Sequence, residues 1–268
     1  MGEQFVVPNT ETWMEGDLHV ALAMPVHARG PVPLLVLLDG QSTFLTAVEH
    51  ARTVSLVTLG ALPPIAIVGV WRQSADPLDY FSTRFRDFTP YEWVLPGPFA
   101  DDNAMVRLGT GGAAGLLHEL VDAVLPAVSE RVEVSGISIG GWSLSGLFAA
   151  WAWRERPDVF AHLVAVSPSL WWGDGRLLDE GVPSRPGAKA FVSAGQREEG
   201  DMSLVWPQIF ANAAQREAAG MVRNAVRFGS MCAAAGVDAE TVVFDDEHHV
   251  TLVPASLARG IQHLYANP

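Results

Sequence analysis

The stretch Ser135–Ala149 reads SGISIGGWSLSGLFA and holds two overlapping candidates for a tight strand–turn–helix joint. Gly136-Ile137-Ser138-Ile139-Gly140 matches the pattern G-x-S-x-G in full, whereas Gly141-Trp142-Ser143-Leu144-Ser145 misses it at the last residue. In a nucleophile elbow a strand runs into the serine, a helix leaves it, and the turn is so tight that the flanking positions must be small. With Ser138 at the turn, the strand would be the short, half-polar Arg131–Ser135. The helix would then open on IGGWSLSG, and each of its two adjacent glycines costs about 1 kcal/mol relative to alanine. With Ser143 at the turn, the strand is Val134–Gly140 and the helix is LSGLFAAWAWRER, rich in helix formers and halted before Pro157. The spacing favours Ser143. Ser145 then stands where glycine is usual, and Gly146 follows at once to allow close packing of helix on strand.

Outward from this joint, short apolar runs alternate with amphipathic ones. Leu18–Val26, Leu34–Leu38, Ile65–Trp71, Ile137–Gly140, His162–Ser167, Lys189–Ala194 and Thr241–Phe244 read as strands. Most are continuously apolar, the mark of parallel strands covered on both faces. Phe44–Leu59, Ala113–Val128, Leu144–Arg156, Asn212–Ala235 and Pro254–Tyr265 read as helices. Strand and helix in alternation predict an α/β fold, a mostly parallel central sheet with helices on both faces. The first run alternates and is followed by HARGPVP, so it is expected to be an antiparallel edge strand. A single domain is expected over residues 1–268. Residues 72–112, rich in Pro, Gly and aromatics, are expected to form a long active-site loop or lid.

Composition narrows the function. The 268 residues suffice for one well-buried core, and 49% of them are apolar. A formal charge of −13 argues against nucleic-acid binding and against docking on anionic membranes. Cys232 is the only cysteine, so there is neither a disulfide framework nor a zinc-type spacing. No run is long and apolar enough to span a membrane, and the first residues lack a signal-peptide pattern. A cytoplasmic protein without cofactor or metal is expected. A homodimer remains open.

An elbow serine needs an acid and a base, following it in that order. The strand KAFVSAG runs into Gln196-Arg197-Glu198-Glu199-Gly200-Asp201, and acids at the C-terminal end of a parallel strand face the site crevice. TVVFDD runs into Glu247-His248-His249 just before the last helix. His249 would take the Ser143 proton and return it to a leaving alcohol, with the carboxylate holding the imidazole tautomer. The DDEHH cluster read as a metal site would lack a third His or Cys at ligand spacing. The Leu144 N–H is one expected oxyanion donor, and Gln41, in the loop after Leu34–Leu38, is the candidate for the other.

With these residues in place, the chain resembles the esterases related to esterase D, and most of all the enterochelin (ferric siderophore) esterase branch of the α/β-hydrolases. LLVLLDG, RFRDFTP, GWSLSGLFA, RPDVF, SPSLWW, SAGQRE and EHHVTLVPASLARGI carry the resemblance in order, from Leu34 to Ile261. It implies Ser143 as nucleophile, Glu198 as acid in place of Glu199, and His249 in place of His248 as base. It also implies hydrolysis of carboxylic esters through an acyl-serine, including siderophore lactones or aryl esters. The family's G-x-S-x-G-G is here G-W-S-L-S-G. Arg84 and Arg86 would either bind an anionic substrate by bidentate hydrogen bonds, pair with Asp87 or cap a turn. Trp171 and Trp172 would either wall an acyl pocket or pack in the core, and Trp142 would wall the site beside the serine. Two other readings stay open: an acyltransferase or cyclase using the same acyl-serine, and a ligand-binding relative without catalysis.

Overall fold

The structure, a computed structural model, describes residues 7–25, 28–58, 61–74, 76–98, 106, 108–200 and 213–266. Asp201, Asn212, the run ends at Val26 and Leu59, and residues 75, 99–105 and 107 of the expected lid lie outside the described residues.

Eight strands form one sheet: β1 (Thr10–Glu15), β2 (Leu18–Ala23), β3 (Val32–Leu38), β4 (Ala66–Arg72), β5 (Val134–Trp142), β6 (Phe160–Val166), β7 (Lys189–Gly195) and β8 (Asp238–Phe244). Their spatial order is β1-β2-β4-β3-β5-β6-β7-β8. From β4 to β8 every neighbouring pair is parallel, and β1 and β2 add on antiparallel. The fold is that of the α/β-hydrolases. The expected antiparallel strand is β2, but it is not the edge. TETWME forms β1 outside it, a strand whose half-exposed, polar-rich residues give little apolar signal.

The parallel strands are continuously apolar because each face carries its own core. Leu35 and Leu37 of β3 pack with Phe44 and Val48 of α1 (Gly40–Val57) and Leu257 and Ile261 of α9 (Val253–Tyr265). Leu34, Val36 and Leu38 face the opposite layer. That layer contains α2 (Pro77–Phe88), α3 (Ala113–Glu119), α4 (Leu125–Ser129), α5 (Leu144–Glu155) and α8 (Met221–Ala234). A single π-helical turn, Leu120–Val124, joins α3 to α4, so the expected helix over 113–128 is continuous but underwound at its centre. The helix expected over 212–235 is interrupted at Gly220, which separates α7 (Ala213–Ala219) from α8. Between β6 and β7 lies α6 (Trp172–Glu180), whose sequence, with two glycines in its first turn, gives no helical signal.

The segment expected to be a loop or lid is partly helix. Asp76 caps α2 by accepting the Asp79 N–H at 2.8 Å, Pro77 opens the first turn, and Phe85 and Phe88 are buried on the core. Among the described residues, no helix is long and apolar enough to cross a membrane.

Phe148, at the middle of α5, is fully buried, with its ring centroid 6.0 Å from that of Phe88. Phe148→Ala should therefore destabilise the fold by about 3–5 kcal/mol, read as a lower urea midpoint with an unchanged slope.

Candidate active site

β5 settles where each serine of the opening stretch lies. Ser138 is inside the strand, buried, and paired in register with Leu35 on one side and His162 on the other. Ser143 stands between the end of β5 and the first residue of α5, at φ 62° and ψ −120°. A side-chain-bearing residue is strained there, and such strain persists only where surrounding structure imposes it. The Ser143 N–H donates to Val166 O at 3.0 Å and its carbonyl accepts from Ser169 N–H at 3.0 Å, so β6 and the turn after it hold the joint. Gly141 is obligatory for steric reasons, since a Cβ there would collide with the Ser145 carbonyl. Ser143 Oγ lies 3.4 Å from Ser169 Oγ.

Ser145 does not loosen the joint. Its Oγ accepts the Trp142 N–H at 2.9 Å and donates to Asp39 Oδ2 at 2.7 Å. Asp39 follows β3, adopts a left-handed backbone (φ 53°) and stands at the N-cap position of α1 without a side-chain capping bond. Its carboxylate is 1% exposed and is held in a fork by Arg84, through Nε at 3.0 Å and a terminal nitrogen at 2.8 Å. Gln41 is the second residue of α1 and Leu144 the first of α5, both in first turns, where backbone N–H groups have no intrahelical acceptor. The Asp39–Ser145 bond thus brings two helix N-termini, with their partial positive charge, to one place.

Arg84 therefore differs from one expectation. It is buried, bonded to Asp39 and to Trp142 O at 3.2 Å, and its guanidinium lies 5.3–5.6 Å from the ring centroids of Tyr80, Phe88 and Trp142. Burial opposes its charge, but Asp39 and Tyr80 together outweigh burial and keep the guanidinium protonated beyond its usual range. Burial likewise pushes the Tyr80 phenol up to about 12. Arg86 pairs with Asp87, Nε to Oδ1 at 2.6 Å, and Asp87 also takes Arg72 at 2.6 Å. Both arginines are held by acids of the chain. Trp172 is also a correction: it is 0% exposed, donates its indole N–H to Tyr91 O at 3.1 Å and packs on Phe85, so it is core and not a pocket wall.

The acid and histidine segments converge. Glu198 is 1% exposed, in the 3₁₀ turn Gln196–Glu199 that ends β7; its Oε1 accepts the Gly195 N–H at 2.6 Å and its Oε2 lies 2.6 Å from His249 Nδ1. Glu199 is exposed and accepts the Arg223 N–H at 3.1 Å. His248 Nδ1 is buried and, among the described residues, meets no hydrogen-bond partner. Gly195 allows the approach, because a Cβ there would strike the Glu247 carbonyl. Trp142 then fastens the histidine segment to the elbow: its indole N–H donates to His249 O at 2.8 Å, and the two rings lie 5.2 Å apart. Its sequence-based role as a wall understated this bond.

The sequence also passed over Asp39 and Ser167. Ser167 Oγ donates to Glu198 Oε2 at 2.5 Å and lies 3.0 Å from His249 Nδ1. A polar residue at the C-terminal end of an apolar parallel strand, as in LLVLLDG and LVAVSPS, is the signal that would have found both.

Known proteins resemble the chain over most of its length. The model of the family described as Putative esterase matches residues 12–219. The siderophore triacetylfusarinine C esterase of Aspergillus fumigatus is 31% identical over 69% of this chain. That alignment spans 62% of the fungal protein, less than two thirds of its length. The ferri-bacillibactin esterase BesA of Bacillus subtilis is 25% identical over 96% of this chain and 90% of its own. The structure of the siderophore hydrolase EstB from Aspergillus nidulans superposes with a TM-score of 0.77 at 23% identity, covering 99% of this chain and 97% of that one.

Asp39→Ala would leave the Arg84 charge buried without its partner and should cost about 3–5 kcal/mol in a urea titration. Replacing both partners, Asp39→Asn with Arg84→Met, should cost less than Asp39→Ala alone.

Proposed function

The chain belongs to the Putative esterase family, and from that premise we propose that it is a carboxylic ester hydrolase acting through an acyl-serine, with siderophore esters as its substrate class. One observation carries the mechanism: the strained Ser143 stands at the β5–α5 joint, and Trp142 beside it holds a histidine whose Nδ1 is 2.6 Å from a buried glutamate. The substrate class is supported by relatives named for siderophore esters, triacetylfusarinine C and ferri-bacillibactin.

In this reading His249 Nε2 takes the proton of Ser143 as Oγ attacks the ester carbonyl. The oxyanion is met by the N–H groups of Leu144 and Gln41, at the N-termini of α5 and α1. The tetrahedral intermediate collapses, the C–O bond to the leaving alcohol breaks, and the alkoxide takes the proton from Nε2. Water then attacks the acyl-serine with the same base, releasing the carboxylic acid and restoring Ser143. Glu198 holds Nδ1–H, which leaves Nε2 free to accept, and balances the imidazolium while it exists. The ferric ion of a loaded siderophore is cargo in these steps. The net charge of −13 slows the encounter with a strongly anionic substrate, which favours esters of low negative charge.

The test is hydrolysis of a short-chain aryl ester, a feruloyl ester and a catecholate trilactone by the wild type, Ser143→Ala and Ser138→Ala. Ser143→Ala should lose about a thousandfold or more in kcat. A fluorophosphonate should label the wild type and Ser138→Ala but not Ser143→Ala; the reverse pattern overturns the assignment. Turnover of the aryl ester but not of the trilactone would remove the siderophore reading and keep the esterase.

A further inference from the structure

Ser167 follows β6 at φ 39°, in the left-handed region where a side chain is strained, and it precedes Pro168, whose ring restricts its backbone further. It is fully buried, and its N–H donates to Ser193 O at 2.8 Å, so the sheet fixes its backbone. The strained backbone places Oγ against both partners of the proposed pair. Oγ to Glu198 Oε2 is 2.5 Å, Oγ to His249 Nδ1 is 3.0 Å, and Nδ1 to the same Oε2 is 2.6 Å. The three atoms form a closed triangle.

One hydroxyl hydrogen serves this triangle. Donated to Nδ1, it would require the imidazole to carry its proton on Nε2, the nitrogen that must accept from Ser143. Donated to Oε2, it meets a carboxylate, and hydrogen bonds to charged acceptors are the shorter and stronger kind. The 2.5 Å separation places it on Oε2. Nδ1–H then points at Oε2 with Ser167 Oγ as a second, longer acceptor. We infer that Ser167 is a positioning residue of the Ser143–His249–Glu198 system: its hydroxyl sets the His249 tautomer and disperses the buried Glu198 charge. The inference rests on the esterase reading above.

The direction of the effect follows from the charges. Glu198 has two donors, the Gly195 N–H on Oε1 and the Ser167 hydroxyl on Oε2. Removing one concentrates negative charge beside the imidazole and favours the imidazolium, which cannot act as base. The other charged groups nearby are unchanged by substitution at Ser167. Arg197 pairs with Asp246 at 2.9 Å, Glu199 accepts from the Arg223 N–H, and Glu247 and His248 lie on the same loop as His249. On the elbow side, Arg84 and Asp39 neutralise each other at 2.8 Å.

Ser167→Ala should lower kcat for a neutral aryl ester about tenfold, change KM by no more than about twofold, and move the acid limb of kcat/KM up by about half a pH unit. Ser167→Gly separates the hydroxyl from the backbone, because glycine relaxes the positive φ while also removing Oγ. It should behave like Ser167→Ala. A Ser167→Gly variant with wild-type kcat and pH profile would overturn the inference and reduce Ser167 to a strained turn residue. A readout free of turnover is the NMR titration of the His249 ring in the Ser143→Ala background. Adding Ser167→Ala should raise its midpoint, and an unmoved midpoint overturns the inference. If the wild type hydrolyses no ester yet the midpoint moves, the esterase reading fails and the hydrogen-bond assignment stands.

Discussion

The Asp39 carboxylate is almost completely removed from water, and the arrangement of the site follows from how its charge is met. Desolvating a carboxylate and a guanidinium costs several kcal/mol per ion, and their attraction compensates only when the geometry is complete. Completing it takes residues from three separate elements: Asp39 after β3, Arg84 from α2, and the Ser145 hydroxyl from α5. The same guanidinium reaches the Trp142 carbonyl, and the Trp142 indole holds His249. A requirement to satisfy one buried charge thereby fixes the elbow, the β3–α1 turn and the histidine segment relative to one another. A glycine at position 145 would have no hydroxyl to offer this network, so the departure from the usual elbow pattern tightens the site.

What was legible in the sequence was whatever local chemistry decides. The choice between Ser138 and Ser143 turns on the short, half-polar strand before Ser138, the two adjacent glycines after it and the helix formers after Ser143, and Ser138 lies inside β5. The apolar strands announced a sheet covered on both faces because each one carries both cores. β1 was invisible because its residues are half exposed and polar, and α2 was hidden among aromatic and proline residues that read as loop. The arginines illustrate a different limit. A sequence shows that Arg84 is a cation; it does not show that a carboxylate 45 residues earlier will claim it.

Two serines in this centre carry positive φ, Ser143 and Ser167, each directly after a parallel strand. Strand-end residues are held on one side by the ladder and released on the other, so they are where a backbone can be bent sharply without losing its register. The Ser167 hydroxyl meets Glu198 and His249, and the Ser143 hydroxyl lies beside that of Ser169. The sheet supplies the rigidity and the bent residue supplies the direction.

The histidine segment follows β8, the last strand in the sheet order, with β7 as its paired neighbour. Most residues of β8 are only half buried, and α9 braces the strand through His263, whose ring nitrogen lies 2.9 Å from Asp238 O, and through Arg259 over Phe244. Outer strands open at lower free energy than central ones, in sub-global steps that precede complete unfolding. The serine sits on β5 at the centre of the sheet while its proposed base hangs from the rim. The proposed base is therefore expected to leave its place before the fold is lost. Amide exchange along β8 would report that reversible opening while β3 and β5 remain protected.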